Sequence, residues 1–161
     1  MSIFYKSQRV GKNGKLFTLY KFRTMVNAPG PTSTSADDPR ITRIGRFLRR
    51  YKLDELPQIW NIVKRDMNLV GPRPEVPEVV HMMTDQERAI ILSIRPGLTD
   101  LATLWDSHEE EMLKGEPDPH KAYLEKIWPI KKRLQIEYIK SRNIKLDLLI
   151  LTKTIWRIIK H

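Results

Sequence analysis

The sequence predicts an α/β fold: one helix-dominated domain with an N-terminal β-hairpin and amphipathic helices suited to an interface. Three observations carry this. Short β-rich runs flank Lys12-Asn13-Gly14 between Ile3 and Phe22, apolar residues recur at helical spacing from Ile41 onward, and 161 residues with 40% hydrophobic content suffice for one core but not for two. Residues 1–161 are therefore read as one domain.

In the hairpin, Asn-Gly suits a tight turn with positive φ, which places Lys21 and Arg23 at the far end. Residues 27–39 are rich in Pro, Gly, Ser and Thr with hardly any large apolar side chain, so a mobile surface loop able to cover a site is expected. Asp38-Pro39 then offers an N-cap and a first-turn proline for a helix with Ile41, Ile44, Phe47, Leu48 and Tyr51 on one face. Leu56, Ile59, Trp60 and Val63 continue at helical spacing, ending near Arg65-Asp66. Tyr123 to Ile139 and Ile144 to Ile159 read as two further helices, the last suited equally to core packing and to lying in a headgroup layer.

Charge narrows the function. The chain carries 29 Lys plus Arg against 19 Asp plus Glu, a net +10, which points to nucleic acid, anionic lipid or phosphorylated ligands. Residues 1–75 hold 15 basic and 6 acidic side chains, whereas 76–161 are nearly balanced, so the positive field is local to the first half. Arg40, Arg43, Arg46, Arg49 and Arg50 crowd one helical stretch with no acid to pair with before Asp54, which favours an anionic partner over a solvated face. The absence of cysteine excludes disulfides, thiolate metal sites and a thiol nucleophile. No secretory signal is visible, and no apolar run approaches the ~20 residues of a spanning helix.

Within this basic stretch, Asp54 and Glu55 open the expected helix, where unpaired N–H groups and the dipole would keep both ionised. Alone, such a pair is most often an N-cap and a first-turn acid. Among fixed cations it also suits a carboxylate that attacks a phosphate or holds a metal against one. Gly71-Pro72-Arg73-Pro74 is a stiff segment in which two prolines present one guanidinium, preset for bidentate phosphate recognition. The acidic run Glu109-Glu110-Glu111 reads as a solvated helix start or loop; His108-Glu109 opens like a zinc-protease helix, but Met112 stands where the second His is required.

Taken in order, Gln8-Arg9 with Gly11, Lys21-Phe22-Arg23-Thr24-Met25, Arg40-Ile41-Thr42-Arg43-Ile44-Gly45, Leu53-Asp54-Glu55-Leu56-Pro57-Gln58, Asp66-Met67, Gly71-Pro72-Arg73-Pro74 and Arg95-Pro96-Gly97-Leu98-Thr99 resemble the bacterial sugar transferase family, the small monotopic phosphoglycosyl transferases. The likeness is dense over residues 3–104 and looser beyond. It implies transfer of a sugar phosphate from a UDP-sugar to polyprenol (undecaprenyl) phosphate with release of UMP, Mg²⁺ as cofactor, and work at the cytoplasmic face of the bacterial inner membrane, peripheral or monotopic, as the first step of a cell-surface glycan such as capsule, exopolysaccharide or lipopolysaccharide. By the same resemblance Asp54 is the nucleophile that carries the phosphosugar and Glu55 helps hold the metal. Lys21, Arg23 and Arg73 are candidates for the diphosphate or uridine, with Pro72 and Pro74 fixing their loop and Gln58 alongside. Arg49 and Arg50 are candidates for the lipid phosphate or an anionic membrane surface.

Electrostatics make this constellation sensible. A carboxylate ~4 Å from a phosphate is repelled by about 4 kcal/mol per charge pair at an effective dielectric of 20, so attack requires cations. Three departures stand out. Family members begin with a hydrophobic re-entrant helix ending just before the segment equivalent to Ser2-Ile3-Phe4, and this sequence opens at Met1, at that point. Arg65 replaces a common Gly before Asp-Met, a change costing on the order of 1 kcal/mol if that helix end is left-handed. Asp100 and Leu101-Ala102-Thr103-Leu104 replace a more usual Gly and aromatic-Ala-Gln pattern, suggesting a different sugar or acceptor pocket. Two rivals remain at this point: a basic nucleic-acid-binding module, which explains the charge but not Asp54 and Glu55, and a noncatalytic membrane-surface remnant. No nucleic-acid partner is expected.

Overall fold

The computed structural model describes residues 2–31, 33–105 and 109–160. Strands β1 (Phe4–Val10) and β2 (Leu16–Phe22) form the expected antiparallel hairpin, with Val10 opposite Leu16 and Phe4 opposite Phe22. Asn13 and Gly14 take the positive φ that the turn needs, at 57° and 78°. At the open end the Phe4 and Phe22 rings stack at 5.6 Å, so Lys21 leaves the sheet from a braced position.

Helix α1 (Arg43–Arg50) starts later than expected. Asp38 does not cap it: its carboxylate accepts from the backbone and guanidinium of Arg40, which also donates to the Pro31 carbonyl. Thr42 is the cap instead, accepting from Gly45 N–H at 2.9 Å while its own hydroxyl donates to the Thr24 carbonyl. The reason is close packing, because a Cβ on Gly45 would collide with that same carbonyl. Consequently the predicted apolar face splits. Ile41 is buried at the foot of the helix, and Ile44 and Phe47 stand 74% and 56% exposed.

Helix α2 (Gln58–Val63) is likewise two-sided. Asn61, fully buried, accepts from Tyr20 N–H and donates to the Thr18 carbonyl, clamping α2 onto β2. Its opposite face leaves Ile59, Trp60 and Val63 exposed. The chain after α2 turns through Arg65 at φ 63°, the left-handed helix end for which Gly would be free of strain.

Strands β3 (Asn68–Val70) and β4 (Gly97–Thr99) form a short parallel pair. Their backbones touch where Gly71 meets Gly97, and a Cβ on Gly97 would overlap the Gly71 nitrogen. Gly97 N–H donates to the Pro72 carbonyl at 3.0 Å, which moors the segment that carries Arg73. Between these strands lie α3 (Pro77–His81) and α4 (Asp85–Ile91), the latter opened by a Thr84/Glu87 capping box. They pack with Val10, Tyr123 and Trp128 in the larger core cluster.

After the short helices α5 (Leu101–Trp105) and α6 (Glu109–Met112), helix α7 (Pro119–Ala122) runs through a π-helical turn, Tyr123–Ile127, into α8 (Trp128–Ser141). Helix α9 (Ile144–Lys160) closes the described chain. It packs on the core along one face and leaves apolar residues exposed on another. Ile150 is fully buried and Arg157 donates to the Leu104 carbonyl, yet Ile144, Leu148, Trp156 and Ile159 are exposed. Among the described residues no helix is long and apolar enough to cross a membrane.

Candidate active site

Asp54 and Glu55 do not sit in the first turn of α2. They form a separate 3-10 turn, Leu53–Glu55, entered through Lys52 in the left-handed conformation at φ 55° and followed by Pro57. The acids are therefore not at the α2 N-terminus, and Glu55 is held instead by direct ion pairs. Lys21 Nζ donates to Glu55 Oε1 at 3.0 Å, and Arg73 Nη2 donates to the same oxygen at 2.8 Å. The hairpin end, the 3-10 turn and the Pro72–Pro74 segment are thereby drawn to one carboxylate.

Burial opposes ionisation of Glu55, but the Arg73 guanidinium and Lys21 ammonium outweigh it and hold its carboxyl well below the ordinary value of 4.5. Because the folded-state value is depressed, this contribution to stability is complete above 4.5 and is lost as pH falls beneath it. Denaturant unfolding in metal-free buffer should show this loss on acidification, and Glu55→Gln should flatten that part of the profile.

Asp54 has a different environment. It is only 8% exposed, and its Oδ1 is buried with no hydrogen-bond partner in the protein. Burial pushes its carboxyl above the ordinary Asp value, Glu55 adds to that, and Lys21, Lys52 and Arg49 pull against it. Two adjacent carboxylates therefore differ: one is locked between cations, and the other is a more basic anion with an uncommitted oxygen. Gln58, 2% exposed, also has an unpartnered Nε2.

Of the remaining expected site residues, Arg49 donates to the Thr24 hydroxyl and to Glu110 Oε1, and its charge reaches Asp54. Pro72 is fully buried and Pro74 is buried, as stiffeners of the Arg73 segment should be. Arg23 and Arg50 are not brought in. Arg23 donates to the Ser2 carbonyl at the hairpin end, and Arg50 lies over the Tyr51 ring.

Sequence reasoning missed several charged neighbours. Glu109 and Glu110 are not simply solvated: they pair with the buried Lys131 at 2.9 Å and with Arg49 at 2.7 Å. Glu75, just past Pro74, is buried, and burial raises its carboxyl against the opposing charges of Lys131 and Arg9. The acid in Pro-Arg-Pro-Glu was a visible signal for Glu75, whereas nothing local marked Lys131 or Lys52. His108 lies outside the described residues, as does Met1.

No group of three or more His, Asp or Glu side chains able to hold a metal occurs among the described residues. A hard cation such as Mg²⁺ needs fewer, since it takes one or two carboxylates and completes its shell with phosphate oxygens and water. The orphaned Asp54 Oδ1 beside Glu55 fits that demand, although Glu55 would have to share its oxygens with Lys21 and Arg73.

The family model described as bacterial sugar transferase matches residues 1–161. The chain is 42% identical over 115 residues to the undecaprenyl-phosphate galactose phosphotransferase of Salmonella typhimurium, covering 60% of this chain and 24% of that protein. It is 34% identical over 172 residues to the exopolysaccharide production protein ExoY of Sinorhizobium fredii, covering 96% of this chain and 69% of that one. A UDP-N-acetylgalactosamine-undecaprenyl-phosphate N-acetylgalactosaminephosphotransferase from Aeromonas hydrophila is 32% identical over 163 residues, covering 95% of this chain and 34% of its own length. The chain thus spans about a quarter to two-thirds of the lengths of these relatives. A match over the whole sequence places the chain in the bacterial sugar transferase family.

Proposed function

We propose that this chain transfers a sugar 1-phosphate from a UDP-sugar to a polyprenol phosphate such as undecaprenyl phosphate, through a phosphosugar-aspartyl intermediate on Asp54, at the cytoplasmic face of the membrane. The observation that carries this reading is the asymmetric carboxylate pair: Glu55 held by Lys21 and Arg73, next to an Asp54 oxygen with no partner.

In the first step an Asp54 carboxylate oxygen attacks the sugar-proximal phosphorus. One P–O bond forms, the bond to the UMP oxygen breaks, and UMP leaves with the electron pair. In this reading Lys21 and Arg73, which converge on Glu55, neutralise charge building on the diphosphate. Mg²⁺, held by Glu55 and the donor's phosphates, would supply further Lewis-acid stabilisation of that charge. The burial that raises Asp54 makes it a stronger nucleophile and shields the acyl phosphate from water. In the second step an oxygen of the lipid phosphate attacks the same phosphorus and expels Asp54 as a carboxylate. One site thus serves two bulky substrates in turn.

The exposed apolar faces of α1 and α2 support a membrane surface as the place of reaction. Ile44, Phe47, Ile59, Trp60 and Val63 are on the two helices that flank the Asp54 turn, with Arg46 and Arg50 among them for anionic headgroups. Phe47→Ser with Trp60→Ser should lower affinity for phosphatidylcholine vesicles at least about ten-fold, since each ring buries a large apolar area. Vesicle co-sedimentation measures this, and unchanged binding would contradict the assignment.

The activity test is UMP release with Mg²⁺, polyprenol phosphate and a panel of UDP-sugars in membrane-reconstituted protein. Release that requires both donor and metal is the expected result. Steeply salt-dependent oligonucleotide binding without UDP-sugar binding would favour a nucleic-acid module instead.

A further inference from the structure

A second cationic feature lies at the end of α2 remote from Asp54. A groove of about 390 Å³ is lined by Arg65, Arg95 and Arg142 together with Asp147, Leu69 and Leu151, among others. Asp147 is the acid among its lining residues, and it is already committed: Oδ1 accepts from the Tyr138 hydroxyl at 2.6 Å, and Oδ2 faces Arg142 at 3.7 Å. Among the described residues, the Arg65 and Arg95 side chains have no hydrogen bond or ion pair within the protein. Both residues are exposed.

Arg65 also occupies a backbone position unfavourable to it. At φ 63° it sits where glycine is free of strain and where an L side chain costs on the order of 1 kcal/mol. A strained cation facing a cationic groove is accounted for if the guanidinium binds something. Three guanidiniums against one engaged carboxylate select an anion. Among the described residues no aromatic ring lines the groove, so they offer no stacking platform for a nucleotide base. Leu69 on its wall is 51% exposed, and Leu148, beside Asp147, is 57% exposed, so apolar side chains border the charges.

We propose that this groove seats the phosphodiester headgroup of an anionic phospholipid, with its acyl chains continuing over the exposed apolar residues beside it. The proposal deepens the membrane-surface reading above and rests on it. It gives the bilayer a second, charge-selective hold, separate from the apolar faces of α1 and α2.

The test compares vesicles of phosphatidylcholine alone with mixed phosphatidylcholine–phosphatidylglycerol vesicles at low salt. The combined variant Arg65→Gly, Arg95→Gln, Arg142→Gln should lose on the order of 100-fold in affinity for the anionic vesicles, at about five-fold per arginine, and nothing on the neutral ones. A control with the same charge loss at exposed positions elsewhere, Lys121→Gln, Arg133→Gln, Lys140→Gln, should lose less than about ten-fold. Arg65→Gly alone should unfold at an equal or higher temperature, which separates lost binding from lost folding. Equal losses in the two triple variants would overturn the groove while leaving the membrane reading intact, provided that Trp60→Ser still weakens binding to both vesicles. No binding of the unchanged protein to either vesicle would overturn both. If the groove variant keeps full vesicle binding but loses saturable binding of inorganic phosphate, the site takes a soluble anion and the lipid assignment fails.

Discussion

Asp54→Asn should reduce UMP release by at least about 1,000-fold with little change in folding, because the amide keeps the shape of the carboxylate but has no anionic oxygen to give to phosphorus. The buried setting strengthens this expectation. Asp54 is 8% exposed and its Oδ1 has no partner, so the neutral amide removes an unpaired buried charge and should leave stability equal or slightly raised. Glu55→Gln should behave differently. It removes the negative charge that faces both Lys21 and Arg73, leaving two part-buried cations without that counter-ion, and therefore costs stability as well as turnover. Loss of activity with preserved thermal stability in one variant, and loss of both in its neighbour, is a signature that a merely structural acidic pair would not give.

Gly97→Ala is expected to have a large effect on stability. The added methyl would overlap the Gly71 nitrogen, and the clash is with backbone, Gly97 lying in β4 and Gly71 directly following β3, so neither can swing aside as a side chain could. Overpacking of this kind costs about 3 kcal/mol, which in a chain of this size lowers the melting temperature by about 6–12 °C. The damage should reach the site, because Gly97 N–H is bonded to the Pro72 carbonyl and Arg73 is next in the chain. Surviving folded protein should therefore show reduced UMP release at temperatures well below its melting point. A melting temperature within a degree of the unchanged protein's would show that the two backbones are not apposed as described.

The hairpin and the long C-terminal helices were legible in the sequence because their signals are local: Asn13-Gly14 between alternating strands, and apolar spacing of period 3.6. Asp54, Glu55, Lys21, Arg49 and Arg73 were legible as a group only through the ordered motifs that bear them. Three expectations differ from the structure, two for reasons that lie wholly or partly close by in sequence and one for a reason far away. The start of α1 was placed at Asp38 because a capping sequence was present, but Arg40 competes successfully for that carboxylate and Gly45 must pack on Thr24. The two acids were assigned to a helix terminus, whereas Pro57 separates them from it. Glu110 and Glu109 looked solvated because their partners, Arg49 and Lys131, are 61 and 22 residues away in sequence. Short-range rules are silent on the Glu109 and Glu110 pairings, which only tertiary structure creates. The left-handed Arg65 is a local feature foreseen from the sequence, whereas its position beside Arg95 and Arg142 at one groove is visible only in the fold.

The most direct measurement is the intact mass of the protein after exposure to a UDP-sugar and Mg²⁺ with no lipid acceptor. A labile adduct equal to one sugar phosphate, mapped to Asp54, absent from Asp54→Asn and discharged on adding polyprenol phosphate, is the predicted result. Undiminished turnover by Asp54→Asn, or an adduct mapped to any other side chain, would contradict the assignment of the nucleophile.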